Sequence, residues 1–250
     1  HALKRRGLRW AKAQKVSMAT HELKNPLTAL QGNVQLAQRR LRSILSKQDI
    51  PPAELQQQLN EVLLMLGRGE QQLRVQNRLI NDILEIGRLR EEAFALQQSE
   101  CDLIHLVQET VQDFQIAHPQ RTITLELPEQ DAMLVQMDDD RIRQVLSNYL
   151  ANAHKYSPIE APIQVGLMRE GEQVRVWVRD EGPGMSAEAP KYIWRRFYQV
   201  PGIAVQNRSG TGLGLGLYIC QRLISKHDGQ VGVESQIGQG STFWFTLPTR

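Results

Sequence analysis

A histidine, an acid and a proline stand within six residues of one another near the start of this chain: His21, Glu22 and Pro26, in the run His21–Leu30. The apolar residues around them step by four and three, through Val16, Leu23, Leu27, Leu30, Val34, Ala37, Leu41 and Ile44, with Thr20 in the same seam. That is a heptad pattern, and it puts His21 one position off the seam, facing solvent. A neutral imidazole with a pKa near ~6.5 keeps one ring nitrogen's lone pair free. An exposed lone pair can attack a phosphoryl group. Glu22 is suited to take the proton on the other ring nitrogen. Pro26 leaves the carbonyl of Glu22 without its helical partner, at a cost of roughly 3 kcal/mol, which marks a bend beside the histidine. Asn25 lies one helical turn after His21 on the same face, and its neutral amide can orient a water but cannot act as a strong base.

Three further groups carry chemistry in the second half. Asn148 and Asn152 are four apart on a helical stretch that continues into Lys155 and Tyr156. Side-chain amide oxygens are hard ligands suited to Mg²⁺, and Lys155 is a point charge for phosphate. Asp180, Gly182 and Gly184 form a DxGxG run at a strand end, where a carboxylate can accept an exocyclic amine and glycines allow close backbone approach. Gly210, Thr211, Gly212, Leu213, Gly214 and Leu215 lead into a helix. Free backbone N–H groups at such a start favour an anion. The run lacks the Gly-Lys-Ser/Thr of a Walker loop and the preceding strand of a dinucleotide fold.

The elements that position these groups follow from periodicity. A long amphipathic helix is predicted over residues 8–47, broken by Asp49-Ile50-Pro51-Pro52, and a second over 53–92 with Leu59, Val62, Leu66, Leu73, Ile80 and Ile83 in its seam. One hairpin cannot cover its own apolar seam, so the pattern points to a homodimer closing a four-helix bundle. After residue 98 the pattern turns mixed. Helices are predicted over 102–117, 141–154 and 211–227. Strands are predicted over 122–127, 133–137, 163–168, 173–179, 230–235 and 241–247. The fold class is α+β: a helical hairpin (residues 1–95), then an α/β sandwich (96–250) with a mixed, largely antiparallel sheet.

Composition narrows the function classes. The chain has 250 residues, 41% hydrophobic and 23% charged, with a net charge of only +3. No apolar run reaches the ~20 residues of a membrane span. The aromatic residues do not interleave with a basic surface, which speaks against nucleic acid. Two distant cysteines, Cys101 and Cys220, suit a reducing cytoplasm and neither a zinc site nor a disulfide scaffold. His105, His118, His154 and His227 lack ligand spacing and read as structural or surface residues. The chain begins without Met and with six basic residues among its first fifteen. It reads as a cytoplasmic piece of a longer protein, without membrane contact of its own, whose upstream part could be an anchor.

The run from His21 to Leu27 resembles the H box of two-component sensor histidine kinases. The ordered set that follows resembles the catalytic domain of the GHKL ATPases, with its Bergerat fold: the asparagine motif, DxGxG, the aromatic segment Ile193–Tyr198 and GTGLGLGL. Only the histidine kinases put an H-box hairpin before it. The resemblance implies that ATP and Mg²⁺ bind, with Asn152 the main metal ligand and Asn148 assisting. It implies Asp180 on adenine, Gly182 and Gly184 shaping the pocket, and Gly212 and Gly214 at the phosphates. Residues 185–210 would form a lid anchored by Phe197. It further implies phosphorylation of His21, transfer to an aspartate on a response regulator receiver domain, and phosphatase activity supported by Asn25. Trp194 and Gly216 depart from the family's usual Phe and Ala or Ser. An ATP-binding scaffold without turnover is disfavoured by intact His21, Glu22, Asn152 and Asp180. A mechanical ATPase is disfavoured because water, not His21, would take the phosphoryl group.

Overall fold

The computed structural model describes residues 26–47, 50–90, 95–203 and 213–249. The chain divides into two compact units, His1–Leu84 and Glu85–Arg250. Among the described residues no helix is long and apolar enough to cross a membrane.

The first unit is built from two helices. Residues 26–45 are helical (α1), and α2 spans Pro52–Arg90, its last residues falling in the second unit. The break at Pro51-Pro52 stands, and α2 begins at Pro52, one residue before the predicted start, because proline suits a helix's first turn and bars its interior. Ala37, Ile44 and Val62 are buried between the two helices, with Ile50, Leu55 and Met65 packed against them. Much of the predicted seam stays open in a single chain: Leu27, Leu59, Leu66, Leu73 and Ile80 are each 40–44% exposed. The predicted start of α1 at residue 8 lies outside the described residues.

The second unit is a two-layer sandwich. Its strands are β1 (Ser99–Asp102), β2 (Ile123–Glu126), β3 (Leu134–Met137), β4 (Ile163–Glu170), β5 (Gln173–Asp180), β6 (Val231–Ser235) and β7 (Ser241–Pro248). Its helices are α3 (Leu103–Ala117), α4 (Asp139–Tyr156) and α5 (Gly216–Lys226), with a 3₁₀ turn at Ala189–Lys191. The main sheet runs β2-β4-β5-β7-β6, with β2 parallel to β4 and the other pairs antiparallel. This is the mixed, largely antiparallel sheet the alternation predicted.

Two elements differ from the sequence reading. Residues 99–101, given no element by the sequence, and Asp102, expected to open the helix, form β1, which pairs antiparallel with β3 in a separate two-stranded sheet. Short strands of that kind are held by their partner rather than by their own pattern. The helix expected from Thr211 begins only at Gly216, because Gly214 takes a positive φ of 67°, which an α-helix does not accommodate.

Residues on α4 recur at helical spacing on the buried side: Ile142, Val145, Leu146, Tyr149, Leu150 and Ala153. The ring of Tyr149 meets Phe243 and Phe245 of β7, at centroid distances of 5.6 and 6.2 Å. Two acids, the half-buried Asp102 and the buried Asp138, fix the helix starts. Asp102 accepts the N–H groups of Ile104 and Met133, both at 3.0 Å. Asp138 caps α4 through Arg141 N–H at 3.3 Å and also accepts Gln97 N–H at 2.9 Å. His227, expected to be structural or at the surface, is buried and accepts the N–H of Asp138 on Nε2 at 3.0 Å, while Nδ1 lies 2.9 Å from the Leu223 carbonyl. Burial holds its pKa below the usual range. The neutral tautomer protonated at Nδ1 therefore ties the end of α5 to the start of α4.

Candidate nucleotide site

Asp180 owes its setting to strand alternation. Val174, Val176 and Val178 of β5 point into the core, and Asp180 is the next residue on that face. It is 4% exposed. Its Oδ1 accepts the N–H of Gly182 at 2.7 Å, and the strand pairs it with Ser241 of β7. Burial raises its pKa from 3.8 to about 6, while the Gly182 and Ser241 N–H groups and the Arg121 charge pull the other way.

The glycines beside it are there for space. A Cβ on Gly182 would stand 2.7 Å from Asp180 Oδ1 and 3.0 Å from the carbonyl oxygen of Tyr156, the last residue of α4. Gly184 takes φ 64° and presses on the Gln236 carbonyl, and Gly240 (φ 80°) presses on the carbonyl of Asp180 itself. The DxGxG loop is thus clamped between the end of α4 and the β6–β7 turn. Gly240 was not among the candidate residues, since its partner lies sixty positions away.

Asn148 and Asn152 lie on α4, half-buried, and neither side chain has a hydrogen-bond partner among the described residues. Asn148 faces the start of α5: a Cβ on Gly216 would sit 3.2 Å from its Oδ1. Lys155 places its ammonium over the ring of Tyr156 at 4.8 Å. Two uncommitted amide oxygens on one helix face fit a Mg²⁺ that keeps waters and phosphate oxygens as its other ligands.

Gly214 is hemmed in as well. At its φ of 67° a Cβ would stand 2.6 Å from the Tyr198 carbonyl oxygen. Phe197 is half-buried with a left-handed φ of 60° and donates its N–H to Gly214 O at 3.0 Å. Leu213 and Leu215 on either side of Gly214 are buried, as is Ile193. Trp194 packs edge-on against Phe243 at 6.3 Å. Arg196 lies over the Tyr218 ring at 4.4 Å and bonds its hydroxyl.

The second unit therefore brings together Asn148 with the α5 start, Tyr156 with Gly182 and Asp180, and Phe197 with Gly214. His21, Glu22, Asn25, Gly210, Thr211 and Gly212 lie outside the described residues. One buried residue escaped the sequence reading altogether. Arg121, 3% exposed, precedes β2 and bonds the carbonyls and hydroxyl at the end of α4. A single arginine in a loop carries no pattern that could have singled it out.

Comparison with known proteins bears on both units. The family model described as His Kinase A (phospho-acceptor) domain matches residues 11–92. The model described as Histidine kinase-, DNA gyrase B-, and HSP90-like ATPase matches residues 137–250. The adaptive-response sensory kinase SasA of Thermosynechococcus vestitus is 35% identical over 239 residues, covering 93% of this chain and 59% of the relative. That of Crocosphaera subtropica is 34% identical, covering 95% and 59%. The chain thus spans about three fifths of the length of these curated relatives. Among solved structures, full-length ShkA in complex with AMPPNP shares 28% identity at a TM-score of 0.61, covering 94% of this chain and 45% of that one. The histidine kinase ThkA in complex with the response regulator protein TrrA matches at a TM-score of 0.63 and 24% identity, covering 99% and 64%, and speaks for the fold alone. With a phospho-acceptor domain matched on the hairpin and a GHKL-type ATPase domain matched on the sandwich, the chain belongs to the sensor histidine kinases of two-component systems.

Proposed function

We propose that this chain is a kinase core that binds ATP with Mg²⁺ in residues 96–250 and phosphorylates His21 in residues 1–95. It then passes the phosphoryl group to an aspartate on the receiver domain of a response regulator. The observation that carries the reading is the buried carboxylate of Asp180 beside Gly182 and the end of α4. It is the one acid on the core face of β5, and it opens onto a loop built from glycines.

Asp180 accepts the exocyclic amine of adenine, and Gly182 and Gly184 leave the base room to approach the backbone. Tyr156 and Lys155 close the end of α4 against the nucleotide. The run Gly210, Thr211, Gly212, Leu213, Gly214 and Leu215, which leads into α5, would bind the phosphates, as a helix start favours an anion. Asn152, assisted by Asn148, would hold Mg²⁺. The ion neutralises developing phosphate charge when bound. Phe197 ties the lid to the glycine loop through Gly214.

At the phospho-acceptor, the ring nitrogen of His21 attacks the γ-phosphorus while the bond to the bridging oxygen breaks and ADP leaves. The ring's other proton passes to Glu22. Most of the catalysis is positioning and charge neutralisation. Asn25 orients a water for the reverse task, hydrolysis of the regulator's aspartyl phosphate. A second copy of the chain covers the open hairpin seam in a four-helix homodimer. The core works in a reducing cytoplasm, in keeping with Cys101 and Cys220, which form no disulfide.

Incubation with γ-labelled ATP tests the reading. The expected result is acid-labile label on the protein, lost in His21→Gln with nucleotide binding retained. Label retained in that variant, or release of free phosphate alone, overturns it.

A further inference from the structure

Arg121 and Asp180 lie at the same end of the sheet. Thr122, the neighbour of Arg121, accepts the N–H of Ile163 at 3.0 Å, and Gln164 pairs in register with Arg179, the neighbour of Asp180. The end of α4 touches both segments. Arg121 donates to Ala153 O at 3.3 Å, to the Pro158 carbonyl and to Ser157 Oγ. Gly182, two residues after Asp180, sits against Tyr156 O and Asp180 Oδ1. The guanidinium is almost wholly buried, and its Nε has no partner.

An arginine on helix-end carbonyls is ordinary capping. Three features set this one apart. It is buried, where a cation is costly unless compensated. It forms no ion pair among the described residues. The two carboxylates whose charge it senses are Asp180 and the exposed Glu160. We propose that Arg121 is a positioning residue for nucleotide recognition: it locks the last turn of α4 behind Asp180 and supplies the positive charge that keeps that carboxylate an acceptor for the adenine amine. The inference rests on the reading of Asp180 as the adenine-binding group.

The charged and polar groups facing this centre are few. Asp180 receives the N–H groups of Gly182 and Ser241 and the field of Arg121. Arg121 faces Asp180 and Glu160. His154 on α4 lies beside His118 and Arg121. Burial, with those two neighbours, lowers its pKa to about 4, so it stays neutral through the range that matters. Removing the charge of Arg121 therefore moves the titration of Asp180 upward from its starting point of about 6. A one-unit move reads as roughly a two-fold loss of affinity at pH 7 and roughly a five-fold loss at pH 6.

The test is ATP affinity by calorimetry from pH 5.5 to 8, taken as the ratio of variant to wild type so that the phosphates' own ionisation cancels. Arg121→Gln is expected to lose affinity progressively as pH falls, whereas Arg121→Lys, which keeps the charge, tracks wild type in shape. A flat ratio for Arg121→Gln overturns the proposal and leaves Arg121 a helix cap. If Arg121→Gln does not fold, the exposed Glu160→Gln decides. Relieving Arg121 of its second carboxylate should strengthen binding at pH 6 relative to pH 8, and an unchanged ratio overturns the proposal. Asp180→Asn separates this outcome from the underlying reading: wild-type affinity in that variant sinks the adenine assignment itself.

Discussion

The backbone N–H of Phe197 donates to the carbonyl oxygen of Gly214 at 3.0 Å, and both residues stand in left-handed backbone, φ 60° and 67°. For phenylalanine that conformation costs of order 1–3 kcal/mol, and it persists because the surroundings enforce it. Gly214→Ala adds strain at the positive φ and a Cβ 2.6 Å from Tyr198 O. The expected outcome is a ten-fold or greater loss of ATP affinity, with the melting of the sandwich lowered by only a few degrees. Calorimetric titration and a thermal scan check it.

Asp180 trades stability for function. The folded state holds the proton that the unfolded chain releases between pH 3.8 and about 6. This group's contribution to stability therefore falls as pH rises through that window. At pH 7 the buried carboxylate costs of order 2–3 kcal/mol. Asp180→Asn should then melt a few degrees above wild type at pH 7, lose that advantage near pH 4, and bind ATP more weakly. Melting at or below the wild-type temperature at pH 7 would contradict the assignment.

Leu27 and Leu66 are 40% and 42% exposed in one chain although both occupy the apolar seam. In the proposed bundle a second copy covers them. Leu27→Asp with Leu66→Asp would bury two unpaired carboxylates, each costing several kcal/mol. Sedimentation should show dimers for wild type and monomers or aggregates for the variant. Monomeric wild type at micromolar concentration would refute the bundle.

Glu22 and Asn25 should separate by mutation. Glu22→Gln is expected to slow phosphorylation of His21 by roughly 10²–10⁴-fold while leaving the dimer intact. Asn25→Ala should keep that step and lose dephosphorylation of the regulator. The check is label incorporation in one assay and decay of phosphorylated regulator with ADP in the other. Equal decay for wild type and Asn25→Ala removes the role from Asn25.

The sequence by itself determined the parts whose physics is local. The prolines at 51 and 52 set the start of α2, the period-2 valines of β5 marked a buried strand, and Asp138 announced α4, because helix caps, chain breaks and strand faces depend on near neighbours alone. The same locality made Asp180, Gly182 and Gly214 legible as a pattern. Tertiary structure alone decided what depends on distant partners. β1 exists because β3 pairs with it, and Gly214 postpones α5 because Tyr198 and Phe197 crowd it from another segment. Gly240 must be glycine because the carbonyl of Asp180 arrives from β5. Arg121 gains its meaning only when the end of α4 meets both it and the Asp180 loop, since a lone arginine in a loop has no period and no motif until folding supplies its partners.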